Sequence, residues 1–285
     1  TVEAYWEFLR HNNLEATIRG IIGNIDTDNL VSLRKGGSQV RQLIRNGKFP
    51  LEMEAEIIGR YQELSQRYHQ HATDVAVRSS ATAEDLPDTS FAGQQETYLN
   101  VRGNEGIMEA VRNCFASLFT DRAISYREHF RFDHFDVALS VCIQKMVRSD
   151  LAASGVAFSL DTESGFKDAV IINGSYGLGE MVVQGAVSPD EFIVFKPSLL
   201  KGFDSIIEKN LGKKDRKMIY GDDPGQLTRV VNVQKDLQQK FCLRDDQVLE
   251  LARWVCTIET YYTGTKGHWC PMDVEWAVDG LTNEL

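Results

Sequence analysis

Proline is scarce in this sequence, 6 residues among 285, and none of it gathers into a linker. No internal repeat and no low-complexity tract divides the chain. No apolar run approaches the roughly 20 residues that a membrane-spanning helix needs, so no membrane partner is expected. The opening Thr1-Val2-Glu3-Ala4-Tyr5-Trp6 lacks the basic start and apolar core of a signal peptide. An initiating Met is missing too, which points to processing or truncation. The cysteines, Cys114, Cys142, Cys242, Cys256 and Cys270, are odd in number, widely spread and without a C-x-x-C pair. Neither a zinc knuckle nor a disulfide framework is indicated, and reduced thiols in a cytoplasmic protein are the expectation. The 6 histidines show no metal-ligand spacing. Basic charge is in deficit: 31 Lys and Arg against 41 Asp and Glu leave a net charge of −10. That argues against a nucleic-acid surface, which needs a broad basic footprint. It does not argue against a nucleotide, because a few focused cations create a local positive field in an acidic protein.

What is present reads as a globular protein, 42% hydrophobic and 25% charged, long enough for one large domain or two lobes. The first third is helical in pattern. Tyr5, Trp6 and Leu9, then Val40, Leu43 and Ile44, then Met53, Ile57, Ile58 and Tyr61 recur at helical spacing. From Val75 the pattern becomes strand, polar loop, strand, over residues 75–78 and 97–101. Ile107, Val111, Phe115 and Leu118 form one stripe of a helix, with Asn104 as its expected N-cap and Arg122 and Arg127 on its continuation. Short strands are expected at 137–143, 155–159, 169–173, 192–195, 230–233 and 272–277, with a long helix through Val248, Leu251, Val255, Ile258 and Tyr262. Residues 210–227, rich in lysine and then in aspartate, read as a loop, either a solvated turn or a lid over phosphates. Mixed elements of this kind indicate an α+β protein of two lobes.

The chemistry concentrates in a few places. Val75-Ala76-Val77-Arg78-Ser79-Ser80 delivers one arginine from a strand into small and hydroxylated residues, and Phe91-Ala92-Gly93-Gln94 follows as a glycine turn before Thr97. Small residues allow close backbone approach, successive N–H groups form an anion nest, and a guanidinium fork fits phosphate oxygens. A surface turn with a solvated charge is the alternative on composition. Gln144-Lys145-Met146-Val147 ends a buried-looking strand, as an edge contact or an adenine-binding segment. Asp273 and Glu275 stand at i and i+2, which on a strand puts both carboxylates on one face. Such a pair suits Mg²⁺, a hard cation that takes oxygen ligands; a solvated edge pair is the alternative. Asn173, Glu180 and Asp190 are further polar candidates near the glycine-containing Gly177-Leu178-Gly179.

These segments, with Asp121-Arg122-Ala123-Ile124-Ser125-Tyr126-Arg127, Asp161-Thr162-Glu163-Ser164-Gly165-Phe166, the run from Gly177 to Gly185 and Met272-Asp273-Val274-Glu275-Trp276-Ala277, occur in one order over nearly the whole chain. Together they resemble the nucleotide-binding domain of the phosphoenolpyruvate-utilising dikinases. That family takes in phosphoenolpyruvate synthase (pyruvate, water dikinase), pyruvate, phosphate dikinase and the rifampicin phosphotransferases. The 161–166 and 180–191 stretches are most similar to the synthase.

The resemblance implies an ATP-grasp-like fold with nucleotide between two lobes, 1–140 (a helical cap plus the phosphate-binding strand and loop) and 141–285 (carrying the metal-binding strand). It implies ATP and Mg²⁺ as ligands. Arg78 and Arg122 would attend the phosphates as catalytic residues, Gly93 and Thr97 the nucleotide, Gln144 and Val147 the adenine, and Glu275 with Asp273 the metal. Arg127 would be a surface or structural residue. The implied activity converts ATP, pyruvate and water to AMP, phosphoenolpyruvate and phosphate, through a phosphohistidine on a separate carrier domain and a pyruvate-binding barrel, both outside this chain. A Gly-Gly-Lys segment before Thr1 and a Gln-Ala-Arg-Pro element after Leu285 are also implied, so the chain alone is expected to bind ATP weakly. An antibiotic phosphotransferase and a nucleotide-sensing module without turnover are the alternative readings.

Overall fold

The computed structural model describes residues 1–82, 85–86, 89–90, 97–223 and 226–285. It divides into two compact units, Thr1–Met146 and Val147–Leu285. The 140/141 boundary expected from sequence falls inside the strand Leu139–Lys145. Helices and antiparallel sheets are both present, an α+β architecture.

The first unit opens with four helices, α1 (Val2–His11), α2 (Leu14–Ile22), α3 (Leu30–Arg45) and α4 (Leu51–Arg67). Strands β1 (Val75–Ala81), β2 (Asp85–Leu86), β3 (Thr89–Ser90) and β4 (Thr97–Val101) follow, then α5 (Gly103–Ser117), α6 (Asp121–His129) and β5 (Leu139–Lys145). β1 lies between β4 and β5, antiparallel to both. Its inward residues Val75 and Val77 are fully buried and join Tyr5, Phe8, Ile18, Val40, Ile107 and Phe115 in one core. Phe8, Phe49 and Phe115 cluster with ring centroids 4.9–6.2 Å apart. Asn104 is not the N-cap of α5: the helix begins one residue earlier and Arg102 holds that place. Nor does α5 run on to Arg122. It ends at Ser117, and Thr120 starts α6 by accepting a hydrogen bond from the Ala123 amide (3.2 Å), the usual use of threonine before a helix.

Arg127 is a structural residue, fully buried. Its Nε donates to His134 Nδ1 (2.8 Å), Nη2 donates to the Leu118 carbonyl, and the guanidinium lies over the Phe119 ring at 5.4 Å. Burial lowers its pKa to about 10, which leaves it charged at neutral pH. Because Arg127 can only donate, His134 Nδ1 accepts, and Nε2 carries the proton shared with Glu128 Oε1 (2.9 Å).

The second unit is a sheet with a long helix against one face. After a 3-10 turn at Ser149–Leu151 come β6 (Ala153–Phe158), β7 (Ala169–Tyr176), α7 (Glu180–Val183), β8 (Asp190–Phe195), α8 (Lys196–Leu199) and β9 (Ile206–Asn210). Then follow β10 (Arg216–Asp223), β11 (Gln226–Asn232), α9 (Lys235–Gln238), α10 (Asp245–Lys266) and β12 (Asp273–Ala277). The strand order is β12-β6-β7-β8-β9, all antiparallel. α10 lays Val248, Leu251, Ala252 and Val255 on Val170, Ile172, Phe192 and Val194. Trp276 completes this core against Gly174, where an added Cβ would lie 2.6 Å from the indole.

Residues 210–227 are not the loop that the charge run suggested, since β10 and β11 pair as a hairpin over most of them. Lys214 is also not a solvated lysine. It is fully buried and pairs with Asp190, itself fully buried at the start of β8. Asp190 Oδ1 further accepts the Gly212 amide (2.9 Å) and Oδ2 the Cys242 amide (2.7 Å). One carboxylate thus ties the approach to the hairpin and the approach to α10 to the sheet.

Two outcomes follow for stability. Lys214→Met strands the Asp190 carboxylate and should cost about 3–5 kcal/mol in urea unfolding, whereas Lys213→Met, on an exposed side chain, should leave the midpoint unchanged. His134 titrates below its ordinary 6.5, chiefly through burial, with the Glu128 bond opposing and Arg127 adding to the depression. The unfolded chain therefore takes up the proton first. This contribution to stability is complete above pH 6.5 and is lost as pH falls through the lowered folded value. His134→Gln should flatten that part of the stability profile, read by thermal unfolding at stepped pH.

Candidate functional site

In the first unit the pleat collects the candidate residues. Arg78 lies directly opposite Thr97 on β4 and Cys142 on β5, and Ala76 lies opposite Gln144. Directly paired residues and their i+2 neighbours share a face, so Arg78, Thr97, Cys142 and Gln144 all stand on the side away from the core. All four are exposed. The opposite side holds Val75, Val77 and Leu139, each fully buried. The chemistry is outward because the alternate residues are needed inside. Gly93 lies outside the described residues. Val147, the first residue of the second unit, is 40% exposed, and its carbonyl accepts the Ser149 amide (2.8 Å).

Arg122 is the second residue of α6 and is exposed. The turn that displays it is fixed twice, by the Thr120 cap and by Arg41, whose Nη1 donates to Asp121 Oδ1 (2.9 Å) and to the Phe119 carbonyl (2.7 Å). Arg122 and Arg127 diverge, one at the surface and one in the core.

In the second unit Asp273 and Glu275 share the outer face of β12, opposite Phe158 and Val156, while Trp276 turns inward. Along the row through Glu275 the paired residues are Val156, Asn173, Glu191 and Asn210. Asn173 therefore stands on the carboxylate face, and Asn210 Nδ2 donates to Glu191 Oε1 (3.1 Å). Asp190, one residue from Glu191, is on the buried face and is committed to Lys214. Glu180 starts α7, where its Oε1 accepts Gln184 Nε2 (2.8 Å). The Asp273 carboxyl is raised above its ordinary value, first by burial and then by the charge of Glu275.

The donor set fits a magnesium ion. Two hard carboxylates project from one exposed strand face, and Mg²⁺ is commonly held by one or two carboxylates with water and phosphate oxygens completing its shell. Among the described residues no three His, Cys, Asp or Glu side chains form a metal-holding group, so a fully protein-made cage is not what these residues offer. Among the described residues, too, no helix is long and apolar enough to cross a membrane.

The pyruvate phosphate dikinase AMP/ATP-binding domain family matches residues 1–285. Phosphoenolpyruvate synthase of Aquifex aeolicus is 60% identical over 285 residues, covering 100% of this chain and 33% of its own length. The enzyme of the same name from Synechocystis is 53% identical over 289 residues (100% and 35%), and that from Escherichia coli 46% over 287 (100% and 35%). The chain spans about a third of the length of these relatives.

Glu275→Gln should let Asp273 titrate lower than in the unaltered protein while remaining above its ordinary 3.8, because burial persists when the neighbouring charge is gone. Carboxyl-carbon NMR of the two proteins reads this directly. An unchanged Asp273 titration would show that the two carboxylates do not interact.

Proposed function

Because the chain belongs to the pyruvate phosphate dikinase AMP/ATP-binding domain family, we propose that it is the nucleotide-binding and phosphotransfer domain of a phosphoenolpyruvate synthase. The overall reaction would take ATP, pyruvate and water to AMP, phosphoenolpyruvate and phosphate. Phosphate would pass through a histidine on a carrier domain to pyruvate in a separate barrel. Relatives of that name at 46–60% identity favour this reading over an antibiotic phosphotransferase or a sensing module. The fold would be ATP-grasp-like and the compartment the cytoplasm.

What supports the site assignment is the exposed face shared by Arg78, Thr97 and Gln144. Arg78 would hold phosphate oxygens and offset negative charge as the phosphoryl group moves, and Thr97, directly across, would add a hydroxyl. Arg122, on a pinned helix start, would supply the second guanidinium. Gly93 belongs to the same set by family pattern. Gln144 and Val147, around the end of β5, would border the adenine.

Glu275 and Asp273 would hold Mg²⁺, and when bound this ion would screen the phosphate charge. The raised Asp273 pKa makes that pair a poorer cation site as pH falls, since a protonated carboxyl gives up its charge.

Arg78→Ala should weaken ATP binding about 10- to 100-fold, the loss of charge-assisted hydrogen bonds worth about 1.5–3 kcal/mol, with circular dichroism unchanged. Glu275→Gln should raise the magnesium concentration needed for half-maximal ATP binding. In the full-length protein AMP formation should depend on pyruvate. Dependence on rifampicin would transfer the assignment to the antibiotic phosphotransferases, and unaltered function in Arg78→Ala would favour a module without turnover.

A further inference from the structure

A cavity of about 330 Å³ opens in the second unit, lined in part by Tyr176, Lys217, Leu237, Phe241, Leu243 and Val278. It is on the opposite side of the sheet from the carboxylates. Tyr176 pairs with Ala153, and the Val278 amide donates to the Ala153 carbonyl (2.9 Å). Both residues therefore fall in the alternation that includes Trp276 and Gly174, the α10 face, and not in that of Glu275 and Asn173. None of the residues assigned to nucleotide or metal lines it.

Its walls are polar and apolar in nearly equal measure, with Leu151, Leu237, Phe241, Leu243 and Val278 as the apolar part, and most polar groups around it are already engaged. The Tyr176 hydroxyl is 3.3–3.4 Å from the carbonyls of Leu237, Lys240 and Phe241, which fixes the segment between α9 and α10 as one wall. Gln247 accepts the Arg244 amide (3.2 Å) and donates to the Asn283 carbonyl (3.4 Å). Arg244, at the rim, is matched in two bonds by Asp246 (3.0 and 2.9 Å).

Lys217 is different. It forms no ion pair with a described residue, whereas Lys209, Lys213 and Lys214 are paired with Asp245, Asp215 and Asp190. Its position is built into the fold. Gly177 adopts φ +91° so that β10 can approach, the Leu178 amide donates to the Met218 carbonyl (3.0 Å), and a Cβ on Gly177 would sit 3.0 Å from Lys217 Cβ. An apolar strip of Leu237, Phe241 and Leu243 beside one unmatched cation, in a volume at the lower end of small-molecule sites, is complementary to a ligand with an apolar part and one negative charge.

We propose that this cavity binds a small hydrophobic monoanion, its anionic group on Lys217 and its apolar part against Leu237, Phe241 and Leu243, at a site separate from the nucleotide. The probe is 8-anilinonaphthalene-1-sulfonate, titrated by fluorescence into the protein. One saturable site per chain is expected, weakened at least 10-fold by Lys217→Met and abolished by Leu237→Trp, which fills the cavity. Glu275→Gln and saturating Mg·ATP should leave the affinity unchanged. Because Lys217 is a partly exposed strand residue, Lys217→Met tests the site even where Leu237→Trp does not fold. Unaltered affinity in Lys217→Met overturns the proposal, as does competitive displacement of the probe by Mg·ATP.

Discussion

Trp276 buries its ring in the second core and donates its indole N–H to the Val156 carbonyl (3.2 Å). That inward turn fixes the phase of β12. With a period of two, Asp273 and Glu275 then have only the outer face available, and the pairing of β12 with β6 sets them beside Val156 and Phe158. A one-residue slip would carry both carboxylates into the packing of α10 and expel the tryptophan, an exchange penalised on both sides. β1 obeys the same logic. Val75 and Val77 are taken by the first core, so Arg78 is delivered to the surface with Thr97 across from it. In each unit the polar face is a consequence of what the apolar face requires.

Among the described residues each unit also carries one fully buried cation, Arg127 or Lys214, and the two are handled differently. Lys214 has a carboxylate partner of its own, fully buried with it, and the pair gains further from backbone amides that saturate Asp190. Coulomb attraction in a dry site offsets the desolvation of both ions only when such additional bonds are present. Among the described residues no carboxylate is in contact with Arg127. Its charge is spread over an imidazole nitrogen, a carbonyl and the face of Phe119, and burial shows in its lowered pKa. The first arrangement anchors loops to a sheet. The second binds the end of α5 and the segment after α6 to each other through His134.

Much of this was legible in the sequence where a local period carries the information. The apolar alternation of β5, the stripe of α10 and the i, i+2 carboxylates of β12 all follow from side-chain direction, and the ordered blocks pointed to the family. What could not be read were outcomes decided by distant residues. Lys214 looks like a member of a solvated run until Asp190, 24 positions away, is seen to receive it. The hairpin β10–β11 lacks a buried alternation of its own, and its turn chemistry was overshadowed by charge. The break between α5 and α6 was signalled by Thr120, a residue whose capping role only the following helix reveals. Gly177 stood in a glycine-containing stretch among polar candidates, yet a structural reason for it is the approach of β10.

A net value of −10 says little about any one place on the surface, because ion pairs cancel locally before the sum is taken. Between Lys209 and Lys217 the sequence offers five cations, but three of the lysines are matched by Asp245, Asp215 and Asp190. Each pairing moves a positive charge out of account, which leaves Arg216, whose Nη2 donates to the Ala186 carbonyl (3.4 Å), and Lys217. Position in the fold decides where Lys217 goes: β10 must approach Gly177 for Leu178 to reach Met218, and this carries Lys217 to a cavity instead of to a carboxylate. An acidic chain thus keeps a focused positive point through the geometry of one hairpin.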